Sequence, residues 1–489
     1  MATSTNYTFL GMTQSLCPET LKLVQVKIIE REGRVYFRKP TPSGDYREDL
    51  VCSDVRYFDQ LEYCVPSQQP VKKGADPEKG CPYDCGLCTE HEQHTCVGLL
   101  EITSNCNLKC PMCFASSGPG GKHLTLEECQ KAIDRLVEVE KQPEVLQLSG
   151  GEPTIHPEIE VILEYAYQQP IDLVMINTNG IRLAKDEAFV ERLAHYKDRL
   201  EIYLQFDGFK DSTSLELRGE SLVHLKEKAI ELCGKHGLRV TLVCTLQSEV
   251  NEDEIGAIVN YGLARPWITS VSFQPATYSG RHVLPETLEK RITFPDVVKG
   301  IVEQTDGIFT EEDFMPLPCA HPNCHTITYA YRSEGKVIPL TRIVNAKEHP
   351  ELLANGITFT KPRVRRMIQQ YLGNLGCCGP NGCEPAEEKP LTTLKSGKKN
   401  LTLPILESSN SSLQEMGTNF FEQALSEKLT TKDVFRITIT SFLDMYNFDI
   451  RRLMKCCVHH VLPSGHIIPF CAYNVLYREG HVEFPELMR

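Results

Sequence analysis

The stretch "SNCNLKCPMCFASS" (residues 104–117) carries Cys106, Cys110 and Cys113 in the spacing C-x3-C-x2-C. Its Ser, Asn and Pro residues mark a loop, and an apolar run, "VGLLEIT" (97–103), leads straight into it. A closed tetrahedral metal site takes four ligands. Three cysteines leave one position open, and the rest of the chain must show whether a fourth ligand lies elsewhere or the open position is itself functional.

The chain has 489 residues, enough for two or three domains. A net charge of −13 argues against a nucleic-acid partner, which would select a basic face. No window approaches the roughly 20 apolar residues of a membrane-spanning helix. The start, "MATSTNYTFLGMTQ", lacks the basic region and apolar core of a signal peptide, so a cytosolic protein is expected. The outlier is cysteine, with 21 residues, most of them clustered; in a reducing compartment such clusters bind metal or do redox chemistry rather than form disulfides. Cys129, Cys233 and Cys244 lie singly in apolar patterns and read as core residues.

Residues 1–96 read as short strands ("LVQVKIIE", "GRVYFRK") followed by a cysteine-rich loop. From residue 97 to about 300, strands alternate with helices. The strand candidates are 97–103, 144–149, 171–178, 200–206, 238–246 and 268–275. Among the helices, "TLEECQKAIDRLVEVEK" has capping-box spacing at Thr125 and Glu128 and an apolar face of Ala132, Ile133, Leu136 and Val137. Strand–helix repeats of about 30 residues imply parallel strands joined by right-handed crossovers, hence a doubly wound sheet or a full or partial barrel. In either, chemistry gathers at the C-terminal ends of the strands, where the three-cysteine loop sits. Residues 301–489 form a last block that includes a polar insertion at 387–414.

Three thiolates from one short loop can hold three corners of an iron–sulfur cube, leaving one iron free for a ligand. The following strand ends supply what such a ligand needs. "LSGGEPT" (148–154) offers close backbone approach at Gly150 and Gly151 and a carboxylate, Glu152, able to pair with an ammonium. "NTNG" (177–180) and "LQFDG" (204–208) add polar side chains, and Arg218 can clamp a carboxylate.

Cys106, Cys110 and Cys113 followed by Phe114, with "GGEP" one strand later, resemble the radical S-adenosylmethionine (radical SAM) superfamily. The resemblance implies a partial (β/α)6 barrel of TIM type at 97–300, a small cysteine-rich N-terminal domain at 1–96 and a C-terminal α+β iron–sulfur region. It implies a [4Fe–4S] cluster whose open iron is chelated by SAM, reductive cleavage to a 5′-deoxyadenosyl radical, and hydrogen abstraction from substrate. Gly150, Gly151 and Glu152 would hold the methionyl amine. Asn177 and Asn179 would lie near the ribose or carboxylate, and Gln205 and Arg218 near the methionyl end. A zinc ribbon would not explain "GGEP", and a GxGxxG nucleotide fold would end its first strand in glycines rather than cysteines.

The remaining cysteines refine the resemblance. "CPYDCGLCTEHEQHTC" sets Cys81, Cys85, Cys88 and Cys96 in one loop, enough to close an electron-relaying cluster; zinc is the alternative. Cys319 and Cys324, with Cys471 and one of Cys456 and Cys457 (Cys457 in the expected set), would make a second closed site. Cys377, Cys378 and Cys383 are unassigned. With "FRITITSFLDMYNFD" and "CCVHH…IPFCAYN", these motifs resemble the group containing the archaeal tetraether lipid synthases, a group also described as radical SAM methyltransferases acting on 7,8-dihydro-6-hydroxymethylpterin. The first expectation is therefore carbon–carbon bond formation between lipid chains. The alternative is methyl transfer to a pterin or similar heterocycle, and a non-catalytic iron–sulfur electron carrier is the reading from another class. All need a one-electron donor of ferredoxin or flavodoxin type, and a lipid substrate would require peripheral membrane contact. Relatives carry a rubredoxin-like iron site near the N-terminus. Here Cys17 remains, but Thr20 stands where the second ligand belongs and "RKPTPSGDY" has no cysteine, so that iron site is expected to be absent or crippled.

Overall fold

The computed structural model describes residues 6–356 (334, 345 and 349 excepted), 358, 363, 367 and 411–488 (427 excepted). Cys377, Cys378, Cys383 and the expected insertion as far as residue 410 lie outside the described residues.

Strands β1 (Thr8–Leu16), β2 (Leu23–Arg31), β3 (Arg34–Pro40) and β4 (Tyr46–Cys52) form an antiparallel sheet in sequence order. Alternation sets its faces: Val26 and Ile28 are buried while Gln25 and Lys27 are exposed. Because direction alternates, the turns after β1 and after β3 lie at the same end of the sheet. Lys39 sits at that end, fully buried. Its ammonium donates to the carbonyls of Leu16 (3.2 Å), Met445 (3.1 Å) and Tyr446 (2.6 Å) and lies 3.5 Å from the Asp49 carboxylate. A buried charge is tolerated only when paired and hydrogen-bonded in this way. It fastens the N-terminal sheet to the loop at 441–447.

The six expected parallel strands are present: β5 (Val97–Thr103), β6 (Val145–Gly150), β7 (Leu173–Thr178), β8 (Leu200–Gln205), β9 (Arg239–Leu246) and β10 (Ile268–Pro275). Each pairs in parallel with the next. Helices α1 (Leu126–Glu140) and α2 (Ile159–Gln168) fall between the first three strands, and Thr125 and Glu128 close the capping box read from the sequence. Leu100, Leu148, Ile176, Ile202, Leu242 and Phe273 pack with Ile133 and Leu136 of α1 in one core. This is the expected α/β architecture, with helices covering the outer, apolar face of the strands.

After β11 (Met315–Pro316), β12 (His325–Ser333) and β13 (Lys336–Pro339), the C-terminal block returns to the same sheet. β14 (Val434–Thr440) pairs in parallel with β10, and β12 lies antiparallel outside it. At the other edge β15 (Val458–Val461) pairs in parallel with β5, and β16 (Ile467–Pro469) caps β15. The C-terminal residues therefore extend both edges of the barrel sheet. No described helix is long and apolar enough to cross a membrane.

Replacing Lys39 with Met removes the buried ammonium and leaves Asp49 with Arg47 alone. A loss of about 3 kcal/mol in unfolding free energy is expected, measured by denaturant titration; an unchanged midpoint would show that the ammonium does not fasten the sheet.

Candidate active site and cysteine centres

The cluster loop leaves β5 and is held on all sides by backbone contacts. Gly151 N–H donates to the Thr103 carbonyl (2.7 Å) and Glu152 N–H to the Asn105 carbonyl (2.9 Å), tying the end of β6 to the loop. The approach is too close for any side chain. A Cβ on Gly150, whose φ is +119°, would sit 2.0 Å from the Thr103 oxygen, and one on Gly151 would sit 2.2 Å from the Asn105 oxygen. Arg281, beyond β10, exchanges backbone hydrogen bonds with Cys113 (2.8 and 3.0 Å), and its guanidinium donates to the carbonyls of Cys110 (2.6 Å) and Ser117 (2.8 Å).

Cys106, Cys110 and Cys113 line a cavity of about 250 Å³ together with Phe114, Gly150, Gly151, Asn177, Asn179, Gln205 and Arg218. None of the three thiols is in a disulfide. Burial pushes the Cys106 thiol up to about 12, and the Leu108 N–H points at its sulfur (3.4 Å). Three thiols on one loop at the rim of a cavity suit three corners of an iron–sulfur cube with a fourth corner facing the cavity.

Two expected contacts differ. Glu152, expected at the methionyl amine, is 1% exposed and does not line the cavity. Its carboxylate accepts from the Thr154 N–H (3.0 Å) and hydroxyl (2.6 Å), the Thr178 hydroxyl (2.7 Å) and the Asn179 N–H (2.7 Å). It is a clamp joining the ends of β6 and β7. Arg218, expected to be free for a carboxylate, is already bidentate on Asp207 (2.8 and 2.7 Å) and also donates to Thr245 and to the Met112 carbonyl inside the cluster loop. Gln205 is held from both ends, by Asp207 (2.6 Å) and by Lys226 (2.7 Å), whose ammonium burial pulls down to about 8. Asn177 donates to Ser149 and Asn179 to Asn107.

Arg281 and Lys226 gave no motif in the sequence, and Asp207 lay inside the noted "LQFDG" without being singled out.

The other cysteines are regrouped. Cys81, Cys85 and Cys88 stand as neighbours whose charges act on one another. Cys96, expected with them, is buried in one cluster with Cys319 and Cys457. The cause is strand pairing: β5 and β15 run parallel in register, so the residues preceding each, Cys96 and Cys457, lie side by side, and the N–H groups of Cys96 and Val97 both donate to the Cys457 carbonyl. Cys324 and Cys471, expected with Cys319 and Cys457, instead line a small neighbouring cavity with Cys456, where Arg452 donates to the Cys324 sulfur (3.3 Å). Among the described residues no three His, Cys, Asp or Glu side chains converge tightly enough to hold a single metal ion.

Residues 100–262 match the radical SAM superfamily model, and residues 9–52 match one described as the HMPTM N-terminal zinc ribbon domain. Over 96% of its length the chain is 32% identical to 7,8-dihydro-6-hydroxymethylpterin dimethyltransferase of Methanocaldococcus jannaschii, covering 94% of that protein. The chain belongs to the radical SAM superfamily. It is also 29% identical over 169 residues to the mycofactocin maturase MftC of Mycobacterium tuberculosis, covering 33% of this chain and 41% of that one. Among solved structures, SuiB of Streptococcus suis bound to S-adenosylmethionine aligns with a TM-score of 0.35 at 16% identity, over 44% of this chain and 48% of that chain. The chain thus spans under half the length of those two proteins.

As a radical SAM enzyme, the chain uses a [4Fe–4S] cluster and SAM and draws on an electron donor, and its many further cysteines suit extra clusters. The zinc ribbon is a different matter. Residues 9–52 contain two cysteines, Cys17 and Cys52, and no histidine. Cys17 lies in the turn after β1, whereas Cys52 ends β4, about 20 Å along the strand from the neighbouring turn. These residues do not fit a four-ligand zinc site.

Gly151→Ala is expected to push the Asn105 backbone away and displace the cluster loop, at a cost of about 1–3 kcal/mol. Iron and sulfide per chain, counted after anaerobic reconstitution, should fall while far-ultraviolet circular dichroism stays the same; full cluster content would contradict the packing described.

Proposed function

We propose that this radical SAM enzyme is a methyltransferase acting on a reduced pterin or a closely similar heterocycle. The observation that carries this reading is the similarity to the pterin dimethyltransferase, which runs along nearly the whole of both chains rather than the barrel alone. It favours the pterin alternative over lipid chain coupling.

In this reading Cys106, Cys110 and Cys113 hold the cluster, and the rim formed by Gly150, Gly151, Asn177, Gln205 and Phe114 receives SAM. When bound and reduced, the cluster and SAM supply a 5′-deoxyadenosyl radical able to take hydrogen from a carbon. The chain's own residues do the positioning. Glu152 and Arg281 fix the loop, while Arg218 and Lys226 place two cations beside Cys110. Phe114 meets Phe470 edge-on at 5.1 Å, closing the cavity against the C-terminal block. The trios Cys81/Cys85/Cys88, Cys96/Cys319/Cys457 and Cys324/Cys456/Cys471 are the candidate seats of the auxiliary clusters.

Lipid coupling is the second reading, and one observation favours it: Val97, Leu99, Met175, Leu317, Ile327 and Val458 give the deep part of the cavity an apolar wall.

The test is anaerobic turnover of the reconstituted enzyme with SAM and a one-electron reductant, offered either 6-hydroxymethyl-7,8-dihydropterin or an archaeal-type diether lipid. A methylated pterin, with 5′-deoxyadenosine formed in parallel, is expected by mass spectrometry. Coupled lipid and unchanged pterin would select the second reading. Cys106→Ala should abolish 5′-deoxyadenosine in both arms.

A further inference from the structure

Below the cluster loop the cavity continues into the barrel, and its walls differ in chemistry. One side is the apolar surface just described. The other carries Tyr203 of β8 and Ser272 and Gln274 of β10. The Tyr203 hydroxyl donates to Ser272 (3.0 Å) and accepts from the Gln274 amide (3.1 Å), so it is satisfied within the wall. The Gln274 amide oxygen accepts no hydrogen bond among the described residues.

Gln147 is the amide of the chamber with neither end engaged among the described residues. It sits on β6 three residues before Gly150, about 10 Å deeper along the strand. It is 7% exposed, lines the cavity between Leu99 of β5 and Met175 of β7, and has no hydrogen-bond partner among the described residues on either end of its amide. Asn177, Asn179 and Gln205, nearer the loop, are each engaged by neighbouring protein groups. Its amide opens onto the cavity with both its donor and its acceptor free among the described residues, so a ligand in the chamber can engage both.

The amide presents one donor and one acceptor side by side. Its complement is an edge with an N–H next to a C=O, as in a lactam ring. Among the described residues, no Asp or Glu lines the cavity, and its arginines are already engaged, Arg218 by Asp207, Arg281 by loop carbonyls and Arg436 by Ser270 and Glu201. The chamber therefore reads a neutral edge rather than a cationic one, and an alkyl chain has no group to answer the amide.

We propose that Gln147 is the specificity residue of the substrate chamber, pairing with the lactam N–H and C=O of a flat, neutral heterocycle whose face lies on the apolar wall, with the Gln274 oxygen accepting a further N–H. This rests on the pterin reading and assigns the residue that enforces it. Gln147 is a binding residue, remote from the cluster loop.

The experiment is equilibrium dialysis of the full-length, cluster-loaded protein with SAM, under anaerobic conditions. The probes are 6-hydroxymethylpterin and its N3-methyl derivative, in which the lactam N–H is blocked. Wild type should bind the parent about tenfold more tightly than the methylated probe. Gln147→Leu, close in shape, should bind the parent about tenfold more weakly and lose the preference, with iron content and SAM affinity unchanged. Gln147→Glu, which keeps an acceptor for the lactam N–H but loses the donor to its C=O, should keep the preference while binding both probes more weakly. Retention of the wild-type preference in Gln147→Leu would overturn the assignment while leaving the pterin reading intact. Failure of wild type to bind either pterin while still cleaving SAM would overturn both.

Discussion

The site depends on how closely two strand ends approach each other. Gly150 and Gly151 press their backbone against Thr103 and Asn105 at distances that exclude a Cβ, and Glu152 locks the contact from behind with four accepted hydrogen bonds. The cluster loop cannot take its shape unless β6 ends there. β6 is fixed in turn by parallel pairing with β5 and β7. The GGEP motif therefore serves the fold first and the ligand second: its glycines make room for the loop, and its glutamate is spent on protein donors.

A second constraint comes from the edges of the sheet. β14 and β15 extend the parallel run on either side, so the C-terminal block closes around the chamber. The pairing of β15 with β5 brings Cys457 beside Cys96 at the opposite end of β5 from the cluster loop, about 20 Å along the strand. Val97, Leu317, His325 and Val458, the neighbours of that trio, line the same cavity as Cys106, Cys110 and Cys113. One chamber therefore runs from the candidate SAM rim to the wall of an auxiliary cysteine centre, and Gln147 stands between the two. At the N-terminal sheet the metal ligands of a zinc ribbon are missing, and the Lys39 ammonium fastens the same end of the sheet through carbonyls and Asp49.

Much of this was legible in the sequence because it is local. The six strands fall within two residues of their apolar runs, and Thr125 and Glu128 cap α1 as their spacing requires. The three-cysteine loop and GGEP announce themselves by spacing alone. What was not legible depends on contacts distant in sequence. Cys96 follows Cys88 in one continuous loop, and only the pairing of β5 with a strand some 360 residues later separates it from that set. Arg281 staples the cluster loop from beyond β10 and belongs to no motif. Arg218 read as a free clamp because its partner Asp207 lies on another element, and Glu152 read as a ligand because its four donors could not be seen.

The central claim is that the three-cysteine loop holds a cluster whose open iron takes the amino acid end of SAM. The most direct measurement is electron–nuclear double resonance on the reduced, reconstituted protein with SAM carrying nitrogen-15 in its amine and oxygen-17 in its carboxylate. Strong coupling of both labels to the cluster spin is predicted, with loss of both in Cys106→Ala. An intact, reduced cluster in wild type that couples to neither label, at SAM concentrations that saturate the protein, would contradict the account.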